Sequence, residues 1–256
     1  MSNFFIRLIS SVVLILLIFL AFNFGKFSIL LFCGFTVFLL FLEINQSTLN
    51  SKMNINYFSS PFLGLFAPFF LEKNLYFLII CLIIFLVNIV ISKERYLRIF
   101  SHFYILFSLY LFIIIICNIP NSINLKQPLF LLSLIIASDV GGYLVGKSIG
   151  KYKIFPKTSP KKTFEGALGS IFSCILVWIL FFKGFTEYLI IEIMTVVFIS
   201  LSAQFGDLLV SFAKRRLVIK DSSNFIPGHG GVFDRMDSII GGIIGYSLIV
   251  YLGYGL

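Results

Sequence analysis

The residues able to do chemistry in this sequence are concentrated between positions 214 and 237. The segment mixes cations, carboxylates and one histidine: Lys214, Arg215, Lys220, Asp221, His229, Asp234, Arg235 and Asp237. Proline and glycines around His229 impose turns and leave backbone N–H groups open, as anion-binding loops require. Fixed cations suit phosphate oxygens, and carboxylates suit a hard divalent cation such as Mg²⁺. The segment therefore predicts phosphate chemistry. His229 is expected to be an acid–base group, a hydrogen-bond donor to phosphate, or a residue that stabilises the turn.

A polar stripe precedes this segment inside an apolar run. Its members are Ser200, Gln204, Asp207, Ser211 and Lys214, and their spacings of 4, 3, 4 and 3 place them on one face of a helix. A carboxylate at the centre of a membrane helix costs roughly 2.5–3.5 kcal/mol. The stripe therefore predicts a polar cavity that opens toward the basic segment, or else a polar contact between helices.

Three further acids lie at the ends of apolar runs. Asp139 is followed at intervals of four by Tyr143 and Lys147, so the three share a helix face. It is either part of a ligand site or the partner of a loop lysine in an ion pair. Asp234 and Asp237 project from one face of the first turn of the last run. They predict metal ligands, or acids that complement the N-terminal end of the helix dipole.

The composition indicates which elements must hold these residues. Hydrophobic residues make up 59% of the 256 and charged residues 12%, against about 25% charged in a soluble domain. This excludes an ordinary water-soluble globule. It predicts an all-α, polytopic integral membrane protein of about eight to nine transmembrane helices, with a cytoplasm-facing polar cavity in its C-terminal half. The apolar runs are 5–24, 27–43, 58–71, 75–91, 99–119, 128–147, 165–183, 187–212 and 237–254. The run 58–71 is short for a span, at about 21 Å against a core of about 30 Å.

The distribution of charge predicts orientation and organisation. The net charge is +9, and the basic residues cluster in segments 92–98, 147–163 and 212–236. Two helices separate each cluster from the next, so all three are predicted on one side, which the positive-inside bias identifies as the cytoplasm. Nucleic-acid binding is not expected, because almost no sequence lies outside the apolar runs. All five aspartates lie in the second half. Residues 1–127 are therefore predicted to be a transmembrane scaffold and residues 128–256 the catalytic part of one integrated membrane domain.

Two stretches resemble the signature of the phosphatidate cytidylyltransferase family, also called CDP-diacylglycerol synthases. The first comprises Ser211-Phe-Ala-Lys-Arg215, Lys220-Asp-Ser-Ser223 and Ile226-Pro-Gly-His-Gly-Gly-Val-Phe-Asp-Arg-Met-Asp237. The second comprises Asp139-Val-Gly-Gly-Tyr143, Gly146-Lys147, Gly150-Lys151 and Ser159-Pro-Lys-Lys-Thr-Phe-Glu-Gly166. With Gly206-Asp207, the resemblance covers roughly residues 135–245. Val210, Lys161 and Phe164 stand where the family commonly has an acid, Asn and Trp, and these changes bear on fine details of nucleotide contact.

The resemblance implies the reaction of CTP with phosphatidic acid to give CDP-diacylglycerol and pyrophosphate. It implies Mg²⁺ or another hard divalent cation, as a single ion or a pair. It also implies a protein of the bacterial type of inner membrane whose active site faces the cytoplasm. Applied to this chain, it implies metal ligation by Asp207, Asp234 and Asp237, and phosphate binding by Lys214, Arg215 and Arg235. The other implied site residues are Lys220, Asp221 and His229 at the loop or leaving group, Asp139, Tyr143, Lys162, Thr163 and Glu165 as a substrate-binding wall, and Ser211, Gly230 and Gly231 as further substrate contacts.

Two alternatives stay open. One is a CTP-dependent enzyme of the same membrane superfamily that acts on an isoprenoid lipid. The other is a membrane transporter, since intramembrane aspartates often mark ion paths. A transporter predicts inverted repeats, and none is evident because the aspartates all lie in one half. A homodimer through the glycine-rich last helix is compatible with the sequence.

Overall fold

The structure is a computed structural model that describes residues 3–48, 65, 67, 95–117, 126–181, 189–219, 222–223, 225 and 230–252. Within these residues the chain forms seven helices and a two-stranded antiparallel sheet. In chain order the elements are α1 Asn3–Asn23, α2 Lys26–Thr48, α3 Arg95–Cys117, α4 Lys126–Ile149, β1 Lys153–Phe155, β2 Ser159–Thr163, α5 Phe164–Phe181, α6 Leu189–Arg216 and α7 Phe233–Tyr251.

The described helices have the lengths and composition of a membrane protein. Four of them contain segments long and apolar enough to cross a bilayer: Lys26–Gln46, Gln127–Ile149, Phe164–Phe181 and Leu189–Arg216. Large apolar side chains on them are exposed, among them Phe35, Ile136, Phe172 and Phe205, as a lipid-facing surface requires. The prediction of a helical membrane protein is confirmed. The runs 58–71 and 75–91 fall almost wholly outside the described residues, so the total of eight or nine spans stays a prediction.

The chain divides into two compact units. The first comprises residues 1–123 and 216–235, and the second comprises residues 124–215 and 236–256. In the first unit α2 packs against both α1 and α3, and its interior includes Ile29, Leu40 and Ile105. His102 is fully buried there, with its ring centroid 4.2 Å from that of Phe41. The predicted division at 127/128 into scaffold and catalytic part concerns function, and it stays a prediction.

Glycines hold α4 and α5 together in the second unit. A methyl group added to Gly166 would lie 2.9 Å from the carbonyl oxygen of Gly142 and 3.2 Å from the Cα of Gly146. Backbones this close leave no room for a side chain, which is the packing expected of small residues between membrane helices. Gly142 and Gly146 therefore serve to pack α4 against α5.

A β-hairpin occupies part of the basic segment 147–163, which the sequence pattern treats only as a loop. Strand β1 pairs with β2 in the register Lys153–Thr163 and Phe155–Ser159, around a turn at residues 156–158. The backbone N–H of Phe164 also donates to the carbonyl of Tyr152 at 2.8 Å. The strands are three and five residues long and lack an apolar alternation, so the periodicity that reveals longer strands is missing.

The end of the hairpin forms the start of α5. Thr163 Oγ1 accepts a hydrogen bond from the backbone N–H of Gly166 at 3.1 Å, which is an N-cap. The carboxylate of Glu165 accepts from the backbone N–H groups of Lys151 at 3.1 Å and Tyr152 at 3.3 Å. Thr163 and Glu165 therefore stabilise the junction between hairpin and helix, and their predicted substrate contacts stay predictions.

Replacing the cap of α5 tests this junction. Thr163→Ala is expected to reduce the free energy of unfolding by about 1 kcal/mol, since an unsatisfied N-terminal N–H costs about that much. Thr163→Ser keeps the capping oxygen and is expected to retain most of the stability. The midpoint of thermal unfolding in detergent measures both. Equal losses for the two variants would mean that the threonine methyl, and not the cap, stabilises this turn.

Candidate active site

Asp207 lies at the centre of the predicted polar stripe on α6. Its Oδ2 accepts an ion-paired hydrogen bond from Lys162 Nζ at 2.7 Å, and its Oδ1 accepts from Ser211 Oγ at 3.2 Å. Lys162 belongs to β2 and also donates to the carbonyl of Gln204 at 3.1 Å. The hairpin therefore brings a lysine of the predicted substrate-binding wall onto the aspartate of the predicted metal site. The Lys162 and Asp207 side chains are 23% and 32% exposed, so the pair is accessible to a ligand.

The inner end of the stripe makes a contact between helices. Ser200 Oγ lies 3.0 Å from Ser138 Oγ of α4, and both residues are buried. Gln204 Nε2 donates to Ser200 Oγ at 3.3 Å. The stripe therefore has two parts. Its serine end makes a polar contact between α6 and α4, while Asp207 pairs with Lys162 at a partly exposed position.

A close approach of α6 and α7 brings Asp207 to the neighbourhood of Asp237. A methyl group added to Gly206 would lie 2.5 Å from the carbonyl oxygen of Asp237 and 2.8 Å from the Cα of Gly241. The backbones can approach this closely only because both contact residues are glycines. Asp207 directly follows Gly206 in the chain, and its charge acts on Asp237.

The electrostatics around Asp237 are unfavourable for a lone carboxylate. Asp237 is 8% exposed, and its Oδ1 accepts a hydrogen bond from the Ser238 backbone N–H at 2.9 Å. It is repelled by the charges of Asp207 and Asp139 and attracted by that of Lys214. Burying one carboxylate near two others is costly unless cations are present. Asp139, Asp207 and Asp237 therefore form an acidic centre in the second unit, which nearby positive charge would stabilise.

Asp139 borders this centre from α4. Its Oδ2 accepts a hydrogen bond from Ser238 Oγ at 2.6 Å. On the same helix Lys147 Nζ lies 3.5 Å from the Tyr143 hydroxyl and 5.6 Å from the centroid of its ring. The three residues of this predicted helix face therefore make separate contacts. Asp139 binds Ser238 of α7, whereas Tyr143 and Lys147 contact each other.

The donor set fits a hard cation that is shared with a ligand. Among the residues that the structure describes, no group of three or more His, Cys, Asp or Glu side chains is arranged to hold a metal ion. Asp207 and Asp237 offer carboxylate oxygens and would leave most of the coordination to phosphates and water, which is how Mg²⁺ is commonly bound at phosphate sites. The repulsion at Asp237 is what a bound cation would relieve.

The basic end of α6 faces the hairpin. Arg215 Nε donates to the carbonyl of Thr158, in the hairpin turn, at 3.2 Å. The Arg215 side chain is exposed, and a guanidinium has four further N–H donors. Arg215 can therefore hold the turn and contact a phosphate at once.

In the first unit Asp234 organises the loop before α7. Its Oδ2 accepts hydrogen bonds from the backbone N–H of Ser222 at 2.9 Å, from Ser222 Oγ at 3.2 Å and from the backbone N–H of Gly231 at 3.3 Å. Gly230 has a φ of 88°, a conformation that disfavours any side chain. The exposed Arg235 lies in the same first turn. Asp234 has a structural role here, and its predicted metal ligation together with Asp207 stays a prediction.

Three predicted site residues cannot be placed. Lys220, Asp221 and His229 lie outside the described residues. Their predicted roles at the loop or the leaving group are therefore untested.

Almost the whole chain matches one known protein family. The model of the cytidylyltransferase family matches residues 5–252. The chain belongs to the cytidylyltransferase family. The match includes the first 130 residues, which lie outside the region of roughly 135–245 that carries the sequence resemblance.

Several curated relatives match about half of this chain. A phosphatidate cytidylyltransferase of Helicobacter pylori (strain ATCC 700392 / 26695) is 40% identical over 124 residues, which are 48% of this chain and 46% of the relative. Proteins of the same name from Staphylococcus aureus (strain COL) and Staphylococcus haemolyticus (strain JCSC1435) are 38% and 36% identical over 122 residues, 47% of each chain. The aligned region spans about half the length of the curated relatives.

The structure adds Glu43, a buried acid that the sequence analysis did not select. Glu43 is the last residue of the apolar run 27–43, but α2 continues beyond it to Thr48. Its side chain is fully buried and accepts hydrogen bonds from Ser222, Ser223, Val232 and Phe233. The available signal was the acid itself, because a carboxylate inside a membrane helix is costly unless partners are supplied.

Proposed function

We propose that the protein transfers the cytidylyl group of CTP to phosphatidate, forming CDP-diacylglycerol and pyrophosphate. The observation that carries the proposal is the ion pair of hairpin Lys162 with Asp207, whose charge also acts on buried Asp237, in a cytidylyltransferase-family chain with membrane-type helices. Cations and carboxylates together at the end of apolar helices suit a reaction between two anionic partners, one of them a lipid. Relatives named phosphatidate cytidylyltransferase support the choice of nucleotide and lipid.

The reaction needs little acid–base chemistry. A phosphate oxygen of phosphatidate attacks the α-phosphorus of CTP and forms a new P–O bond. The bond from the α-phosphorus to the oxygen bridging to the β-phosphorus breaks, and pyrophosphate leaves with the electron pair. The attacking oxygen is already ionised near neutral pH, so the protein has only to bring the two anions together and hold them in line.

The basic residues of the second unit supply the attraction. Lys162, Lys214 and Arg215 are assigned to phosphate oxygens of CTP or the lipid, because all three surround the acidic centre or the adjoining hairpin. Asp207 and Asp237 are assigned to hold Mg²⁺. When bound, the ion neutralises phosphate charge and stabilises the leaving pyrophosphate. Asp139 holds Ser238 and fixes the adjoining part of α7.

The charge of the hairpin also indicates on which side of the membrane the site opens. Lys151, Lys153, Lys157 and Lys161 are exposed, and no acid occurs between Asp139 and Glu165. Such a cluster favours the cytoplasmic face, where CTP is available. We assign the protein to a membrane of the bacterial inner-membrane type, with eight to nine spans and phosphatidate entering from the bilayer.

Pyrophosphate release by purified protein in lipid nanodiscs tests the proposal. With Mg²⁺ and CTP present, release is expected only when phosphatidate is added. Replacing phosphatidate with an isoprenyl phosphate or an isoprenol in the same CTP pool separates the lipid substrates. Turnover with an isoprenoid lipid and none with phosphatidate would establish the alternative enzyme, and no turnover with either would reject cytidylyl transfer.

Lys162 should matter more for turnover than for stability. Lys162→Met is expected to lower kcat/KM for CTP by about 10²-fold, since a phosphate-binding cation in a preorganised site is removed. The free energy of unfolding should change by less than about 1 kcal/mol, because the ion pair is partly solvated. Lys157→Met, on the exposed hairpin turn, is the matched control. Similar losses of turnover in the two variants would show that general positive charge, and not Lys162, is required.

A further inference from the structure

The least expected feature of the first unit is the buried carboxylate of Glu43. Its Oε1 accepts hydrogen bonds from the hydroxyl of Ser223 and from the backbone N–H of Val232, the latter at 2.7 Å. Its Oε2 accepts from Ser222 Oγ at 3.1 Å and from the backbone N–H of Phe233 at 2.7 Å. Four donors replace water around a fully buried acid, which is the condition for burying one without a large penalty.

These four bonds connect two separate pieces of the loop. Ser222 and Ser223 lie in its earlier part, Val232 directly precedes α7, and Phe233 is the first residue of that helix. Ser222 Oγ lies within hydrogen-bonding distance of both Glu43 and Asp234, so the two carboxylates compete for the single proton of this hydroxyl. Both ends of the loop are thus anchored to one side chain of α2.

The loop backbone is shaped to admit this carboxylate. A methyl group added to Gly231 would collide with Ser222 Oγ and lie 2.9 and 3.0 Å from the two oxygens of Glu43. A side chain at this position would have to displace the Ser222 hydroxyl and the Glu43 carboxylate from each other. The N–H groups of Val232 and Phe233 are occupied by Glu43, so the start of α7 has an internal anion in place of a ligand phosphate.

We propose that Glu43 is a positioning residue, a buried anionic clamp that joins Ser222 and Ser223 to Val232 and Phe233 and thereby orients Gly230, Asp234 and Arg235 for phosphate binding. The proposal rests on the proposed function for its catalytic consequence, while the clamp itself is a property of the fold. It assigns to the N-terminal half, predicted to be scaffold only, a direct part in shaping the site.

Glu43→Gln tests the clamp, because an amide has one accepting oxygen where the carboxylate has two. Hydrogen exchange of peptides covering 230–235 is expected to accelerate by about tenfold or more, since two backbone N–H groups share a single remaining acceptor. Exchange in α6, Leu189–Arg216, should be unchanged. Glu192→Gln makes the same substitution elsewhere and should alter neither exchange at 230–235 nor turnover.

Kinetics test the consequence. Glu43→Gln is expected to lower kcat by about 10-fold or more, as displacement of site residues by a fraction of an ångström does. Ser223→Ala should then add little in the Glu43→Gln background, because both changes break one network. If Glu43→Gln does not accumulate in membranes, the Ser222→Ala/Ser223→Ala variant disrupts the clamp from the loop side.

The outcomes separate the two claims. Unchanged exchange at 230–235 in both kinds of variant overturns the clamp, and accelerated exchange with wild-type kcat overturns its positioning role. Wild-type protein that releases no pyrophosphate would reject the proposed function, and the exchange experiment would still decide the clamp.

Discussion

Asp207→Asn is expected to lower kcat for CDP-diacylglycerol formation by about 10²-fold or more. The substitution keeps the size of the side chain and its contact with Ser211 but removes the charge that pairs with Lys162 and is assigned to Mg²⁺. Losses of this size are typical when one preorganised group that stabilises transition-state charge is removed. The Mg²⁺ concentration for half-maximal turnover should also rise. Steady-state kinetics over a Mg²⁺ titration measure both quantities.

The matched control lies on the same helix. Glu192→Gln also converts a carboxylate to an amide, but it is 15 residues, or about 22 Å, from Asp207 along α6. It should leave turnover and the Mg²⁺ requirement unchanged. Asp237→Asn should resemble Asp207→Asn, and the double variant should lose little more, because the two acids act on one cation. Near-normal turnover for Asp207→Asn would remove the metal assignment.

Gly206→Ala is expected to lower kcat by about 10- to 100-fold and to destabilise the protein by about 1–3 kcal/mol. The added methyl would lie 2.5 Å from the carbonyl of Asp237 and 2.8 Å from the Cα of Gly241, which are backbone atoms and can move only if the helices separate. Separation would carry Asp207 away from Asp237, and a shift of about 1 Å can cost 10²-fold in rate. Turnover and the midpoint of thermal unfolding test the two effects.

A bulkier change outside the contact serves as the control for Gly206. Ala213→Val adds two carbons to α6 about 10 Å farther along the helix, and it should retain most activity and stability. Gly241→Ala should behave like Gly206→Ala, since it enlarges the other side of the same contact. Wild-type kcat and stability in Gly206→Ala would show that the two acids do not depend on this approach.

The helices and the stripe were predictable because they are periodic. Runs 128–147 and 187–212 correspond to α4, Lys126–Ile149, and α6, Leu189–Arg216, with ends that differ by a few residues. The helical spacing of Ser200, Gln204, Asp207 and Ser211 is realised as contacts between neighbouring turns. Local period and hydrophobicity determine these features, so the sequence alone suffices for them.

Features that depend on distant partners were not predictable. The ion pair of Lys162 with Asp207 joins positions 45 residues apart, and it depends on a hairpin too short and too polar to show a strand pattern. The bonds of Glu43 to Ser222 and Phe233 span about 180 and 190 residues. Periodicity carries no information about such pairs. The cost of an unpaired buried acid was the available clue, and it identifies the residue but not its partner.

The fate of labelled phosphate in CTP tests the central claim most directly. Purified protein in nanodiscs is given phosphatidate, Mg²⁺ and CTP labelled with ³²P at either the α- or the γ-position. Cytidylyl transfer predicts that the α-label enters the lipid, that the γ-label appears in pyrophosphate, and that the two products form in equal amounts. Entry of the γ-label into lipid, or retention of both labels in soluble nucleotide, would contradict the account.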